Sequence, residues 1–221
     1  MLDIGPIRLL FDTPPELRVQ LLREGVDRVD AVLYTHLHAD HVHGIDDLRS
    51  FSQLQRASLP LYGPAQTVAH LRRAFEYIFD DLVVPVPGTS KPRLTLEVLN
   101  AGTTVTIAGV DVLPLAFEHG EADVLGYRIG PVAYVTDAKR VPDLARSRLR
   151  GIELLVLSSL WWRSHPTHMS IEEAIETAQA IGAPRTLLTH LTHETSHQDL
   201  LAQLPAGIEP AYDGLTVEIG E

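Results

Sequence analysis

The chain is predicted to be an α/β protein in which helices cover mixed β-sheets, and three features of the sequence predict it. Apolar runs of strand length recur at 7–11, 31–34, 59–62, 94–99, 110–115, 132–136, 154–157 and 186–189. Segments with apolar residues spaced by three and four, at 16–23, 65–79 and 171–181, lie between several of these runs and read as amphipathic helices. Proline and glycine mark the breaks, as in Pro85-Val86-Pro87-Gly88 and Gly182-Ala183-Pro184.

Each element has a local reason. The helix at 171–181 has the clearest start, because Ser170 and Glu173 form an S-x-x-E capping box ahead of the apolar pattern. Strand follows strand between 94 and 136, with turn signals such as Asn100-Ala101-Gly102, which argues for antiparallel pairing there. The flanking alternation of strand and helix argues for helices packed over the sheets. No repeat or low-complexity linker interrupts the chain, so a single domain over residues 1–221 is expected.

Composition narrows the chemistry. There is no cysteine, which excludes disulfides, thiolate metal sites and a cysteine nucleophile; any metal must be held by His, Asp or Glu. The formal net charge is −11, and neither the Arg72-Arg73 pair nor the group from Arg146 to Arg150 is interleaved with aromatics, so a polyanionic nucleic acid is disfavoured as partner. No apolar stretch reaches spanning length and the start lacks a signal-peptide pattern, so no membrane partner and a cytoplasmic location are expected. Most of the 11 histidines fall at 36–43, 165–168 and 190–197. That clustering needs a cause.

The run at 31–34 leads directly into His36, His38, Asp40 and His41. Residues two apart on extended chain point the same way, so His36 and His38 can grip one metal together. Asp40 and His41 follow where the chain turns and face a neighbouring position. Imidazole with carboxylate suits zinc, manganese or iron, whereas calcium takes oxygen donors only.

The segment His36-Leu37-His38-Ala39-Asp40-His41 resembles the H-x-H-x-D-H signature of the metallo-β-lactamase superfamily. The resemblance implies that family's αββα sandwich, two mixed β-sheets with helices on both outer faces. It also implies three later ligands: His119 after Phe117-Glu118, Asp137 after Val135-Thr136, and His190 after Leu188-Thr189. By analogy the first of two divalent metals takes His36, His38 and His119. The second takes Asp40, His41 and His190, and Asp137 is shared.

Residues 12–22, 41–49 and 211–214 are further similar to the phosphodiesterase branch that includes the phosphoribosyl 1,2-cyclic phosphate phosphodiesterases. The stretch His165-Pro166-Thr167-His168-Met169-Ser170 is similar to that branch and to ribonuclease Z, which implies that His168 is a general acid. The expected reaction is hydrolysis of a small cyclic phosphodiester by hydroxide generated at a zinc or manganese pair, with His168 and Asp40 as catalytic residues. Ribonuclease Z-like or exonuclease activity, thioester or lactam hydrolysis, and an inactive metal-binding protein are the alternatives. A homodimer is compatible with this reading. Relative to the family's usual pattern, a first strand, a Gly-Thr-Gly type loop and a cysteine cluster are missing, so one sheet is expected to be shortened.

Other residues are expected to do less. His43, His193 and His197 are assigned to the surroundings of the ligands, His70 to a structural role, and the Trp161-Trp162 pair to packing. Arg49, Lys139, Arg140 and Arg163 are candidate phosphate contacts, none singled out.

Overall fold

A computed structural model describes residues 1–220 and contains two mixed sheets with helices. Its contacts divide the chain into two compact units: residues 1–100 with Ile107–Val110, and Ala101–Thr106 with residues from 111 onward.

The first unit holds a five-stranded sheet in chain order: β1 (Leu2–Ile4), β2 (Ile7–Phe11), β3 (Ala31–Leu33), β4 (Leu59–Gly63) and β5 (Leu94–Val98). β1 pairs antiparallel with β2, and β2 through β5 are parallel. Parallel neighbours need crossovers, and here helices provide them: α1 (Leu17–Arg23) between β2 and β3, and α2 (Ala39–Val42), a 3-10 turn (Ile45–Leu48) and α3 (Arg49–Leu54) between β3 and β4. α4 (Ala65–Ala74) and α5 (Glu76–Phe79) connect β4 to β5. The single helix expected at 65–79 is thus broken at Phe75, whose φ of −118° and ψ of 43° lie outside the helical region. The break lets both Phe75 and Ile78 reach the unit's core of Leu10, Leu17, Val32, Tyr34, Ile45, Leu61 and Leu71.

The second sheet has seven strands in the order β12-β11-β10-β9-β8-β7-β6. These are β6 (Val105–Ile107), β7 (Val110–His119), β8 (Ala122–Ile129), β9 (Val132–Val135), β10 (Leu154–Ser158), β11 (Arg185–Thr189) and β12 (Ile208–Pro210). The expected antiparallel stretch is present as β7, β8 and β9, and β9 through β12 are parallel. Ala108 and Gly109, with φ of 50° and 86°, form the two-residue turn between β6 and β7, a pair of left-handed positions suited to the twist of a hairpin. α6 (Asp143–Arg148), α7 (Ile171–Ile181) and α8 (His197–Gln203) fill the connections. The capping box at Ser170 forms as expected: the Glu173 amide donates to the Ser170 hydroxyl at 3.2 Å and the Ser170 amide to the Glu173 carboxylate at 2.8 Å. Ile171, Ala174, Ala178 and Ile181 of α7 join Val135, Leu155, Leu157 and Leu188 of the sheet in one core. Among the described residues, no helix is long and apolar enough to cross a membrane.

Candidate metal centre

In the first unit, register places the donors. β2 and β3 are parallel with Phe11 opposite Leu33, so Asp12 and the Thr35-His36 segment emerge at the same edge. Asp12 is buried, with a φ of 56°, a left-handed conformation that Asp tolerates better than most residues. Its carboxylate accepts from the Thr35 amide at 2.7 Å, the Thr35 hydroxyl at 2.9 Å and His41 Nδ1 at 2.8 Å.

Those bonds determine tautomers. A carboxylate only accepts, so His41 carries its proton on Nδ1 and keeps Nε2 as a lone pair. The Thr35 hydroxyl spends its proton on Asp12 and accepts from His36 Nδ1 at 3.0 Å, which leaves His36 Nε2 as a lone pair too. His36 Nε2 lies 2.9 Å from His38 Nδ1, and His41 Nε2 lies 3.3 Å from Asp40 Oδ2. His36 and His41 are buried, while His38 and Asp40 stand at the exposed side. Gly44 fixes the turn behind His41, because a Cβ there would meet the Pro14 carbonyl oxygen at 2.3 Å. Its amide instead donates to the Thr13 carbonyl at 2.8 Å.

The second unit assembles its donors from separate strands. β7 is antiparallel to β8 and β8 to β9, so β7 runs with β9, and β9, β10 and β11 are mutually parallel. His119 ending β7, Asp137 just past β9 and His190 just past β11 therefore come to one edge. Asp137 and His190 sit there with φ of 53° and 61°.

Three imidazoles face the Asp137 carboxylate, which is 1% exposed. His190 Nε2 is 3.4 Å from Oδ1, while His119 Nε2 and His168 Nδ1 are 3.8 and 3.9 Å from Oδ2. His119 Nδ1 donates to the Thr167 carbonyl at 2.9 Å, so its Nε2 is also a lone pair.

His168 lies in the loop between β10 and α7, stacked on His190 at 4.9 Å and edge-on to His119 at 4.6 Å. The loop is tied to the segment after Asp137 by the Met169 amide donating to the Ala138 carbonyl at 3.2 Å. Burial, together with the neighbouring histidines, pushes the His168 imidazole down to about 4 against the opposing pull of Asp137.

The remaining candidates are placed elsewhere. His43 is edge-on to Phe75, His70 is in α4, and His197 opens α8 against Tyr212. Trp162 packs against the second unit's core. Lys139 pairs with Glu173, Arg163 with Glu194 and Arg49 with Asp46 at 3.7 Å, while the Arg140 backbone forms an isolated antiparallel β-bridge with Glu118. Asp12, which bonds to Thr35 and His41, is the residue of this cluster that sequence reasoning did not single out. Its signal was there, a lone acid closing an apolar strand parallel to the motif strand, but the pairing of those strands is not a local property.

A family model described as a β-lactamase superfamily domain matches residues 7–191. Among curated proteins, an octanoyltransferase of Porphyromonas gingivalis is 38% identical over 97% of this chain, which spans 43% of that protein's length. A ribonuclease Z of Myxococcus xanthus is 29% identical over 96% of this chain and 88% of its own. Among solved structures, a diphosphatase from the PhnP family superposes with a TM-score of 0.89 at 34% identity, covering 99% of this chain and 82% of that one. The chain belongs to the β-lactamase superfamily, on its metallo-β-lactamase side.

Proposed function

We propose that the chain is a bimetallic phosphodiesterase acting on a small phosphodiester, of which a phosphoribosyl cyclic phosphate is the model. The observation that carries the reading is that each unit gathers imidazole and carboxylate donors at one edge: His36, His38, Asp40 and His41 in the first, and His119, Asp137 and His190 in the second. The residues fit such a group. All donors are imidazole nitrogen or carboxylate oxygen, a set suited to zinc or manganese, and hydrogen bonds to Asp12, Thr35 and Thr167 turn the lone pairs of His36, His41 and His119 outward. The first ion is assigned His36, His38 and His119, the second Asp40, His41 and His190, and both Asp137. Bound divalent ions supply Lewis acidity toward phosphate oxygens and lower the pKa of water.

The chain's own residues do the rest. Asp12 and Thr35 hold two histidines in one tautomer before substrate arrives, which removes a cost of reorganisation. His168 stands beside Asp137 to give a proton to the departing oxygen. In the resting chain it is neutral at pH 7, because its imidazole is held near 4. A phosphodiester anion beside it favours the imidazolium, so the proton is taken up with the substrate.

The small-substrate reading is supported by the net charge of −11, which gives no long-range attraction to a polyanion. The ribonuclease Z of M. xanthus supports cleavage of RNA as the second reading. Turnover of a small cyclic phosphodiester and of a precursor tRNA by zinc- or manganese-loaded protein separates the two. The first should show the higher kcat/KM. Efficient tRNA cleavage that falls steeply with salt reverses the order of the readings.

A further inference from the structure

The loop between β10 and α7 carries two ring N–H donors that the reaction as proposed does not use. The Thr167 amide and hydroxyl both lie 3.3 Å from His165 Nδ1. An amide can only donate, so Nδ1 is the accepting nitrogen and the neutral His165 ring carries its proton on Nε2. That Nε2–H has no acceptor among the described residues. Beside it, edge-on at 5.6 Å between ring centres, is Trp161, whose Nε1–H is shut off from solvent and has no hydrogen-bond partner. Buried donors are almost always paired, so the lone Trp161 Nε1–H, with the His165 Nε2–H on the neighbouring ring, points to an acceptor absent from the free protein.

The pair is also held in place. The Arg163 guanidinium lies 4.4 Å over the Trp161 ring and is anchored to Glu194 at 2.6 Å. His165 also packs against His168, with ring centres 5.0 Å apart. Ring contacts thus run from Trp161 through His165 to His168, the group assigned to protonate the departing oxygen.

We infer that Trp161 and His165 form a leaving-group subsite that hydrogen-bonds an acceptor oxygen of the substrate beyond the scissile phosphate. The inference rests on the phosphodiesterase reading and names its specificity: a leaving group with its own acceptor oxygens, from a sugar or from a second phosphoryl group. The Trp161→Phe change removes one donor and keeps the aromatic ring. His165→Phe removes the other, and His165→Gln restores an N–H near the Nε2 position.

The experiment measures kcat and KM of zinc-loaded wild type and these variants on three substrates: a ribosyl phosphodiester, a pyrophosphate diester, and methyl phenyl phosphate, whose phenyl group offers no further acceptor. Trp161→Phe and His165→Phe should each raise KM for at least one acceptor-bearing substrate about 3- to 10-fold more than for the phenyl ester, the loss expected of one hydrogen bond. His165→Gln should recover most of that difference, and whichever acceptor-bearing substrate responds identifies the sugar or the phosphoryl source. Equal changes on all three substrates, or none, overturn the subsite. A second measurement does not depend on turnover. In nitrogen NMR of the metal-free protein, added inorganic pyrophosphate or ribose 5-phosphate should shift the Trp161 Nε1 and His165 Nε2 resonances. Failure of both to move overturns the inference, whereas shifts without turnover on any phosphodiester reject the phosphodiesterase reading and retain the subsite.

Discussion

Asp12 and Asp137 look alike in isolation and differ in what surrounds them. Both are buried carboxylates in left-handed backbone conformation, one just past β2 and the other just past β9. Asp12 meets hydrogen-bond donors at 2.7–2.9 Å, an amide, a hydroxyl and a protonated imidazole nitrogen. Asp137 also accepts from its neighbour Thr136 at 2.7 Å, but the imidazoles that face it stand off at 3.4–3.9 Å. The first carboxylate is satisfied by protein and orients ligands. The second faces imidazoles at longer range and is the one proposed as a metal ligand. Distance to the neighbours, and not residue type or burial, separates the two roles.

The largest effect that tests this contrast is at Asp137. Asp137→Ala should remove a ligand from both ions, so elemental analysis should show loss of both metals and activity should vanish; His119→Ala should chiefly weaken one site. Full metal occupancy in the Asp137 variant would take Asp137 off the ligand list and collapse the distinction.

His168 comes next. His168→Ala should slow hydrolysis of a ribosyl or alkyl phosphodiester by about 10²–10⁴-fold, the range of general acid catalysis. A nitrophenyl ester should suffer much less, because nitrophenolate departs without help, and metal content should hold. Metal loss would make His168 a ligand of Asp137's cluster. Equal losses on both esters would make it a phosphate-positioning group.

Asp12→Asn sharpens the other half. Asparagine tolerates the same left-handed backbone, so the change removes the charge and the acceptor for His41 while sparing the fold. Metal affinity should fall about 10–100-fold, the usual cost of losing an orienting partner behind a ligand. A loss as complete as that of Asp137→Ala would show Asp12 to be a ligand as well.

The smallest expected effect is a control away from both carboxylates. Ser170→Ala removes the cap of α7 and should lower stability by about 1 kcal/mol in denaturant unfolding, with metal content unchanged. A drop in metal content would mean that the helix start positions the His168 loop.

Legibility differs between the two donor sets for the same reason. His36, His38, Asp40 and His41 lie in one short stretch after an apolar strand, where spacing along extended chain already says which side chains turn the same way. His119, Asp137 and His190 were named only through a family resemblance, since nothing local distinguishes them from residues ending any strand. The direction of β7, set by two antiparallel turns through β8, is what brings His119 to the edge shared with Asp137 and His190. The break at Phe75, the short strands β1, β6 and β12 and the longer β8 likewise escaped the pattern; β8 buries Val124, Leu125, Gly126 and Tyr127 in a row, so it shows no alternation.

The sequence by itself determined the α/β class, most of the longer strands, the capped start of α7 and the candidate donor stretch at 36–41, all of which depend on neighbours within a few residues. Only the tertiary structure decided that Asp12 and Thr35 bond to Nδ1 of His41 and His36, that three imidazoles face Asp137, and that Trp161 and His165 present donors without acceptors. Those facts depend on which strands pair and in which direction. Strand pairing is set by the burial of whole sheet faces, and no short stretch of residues encodes it.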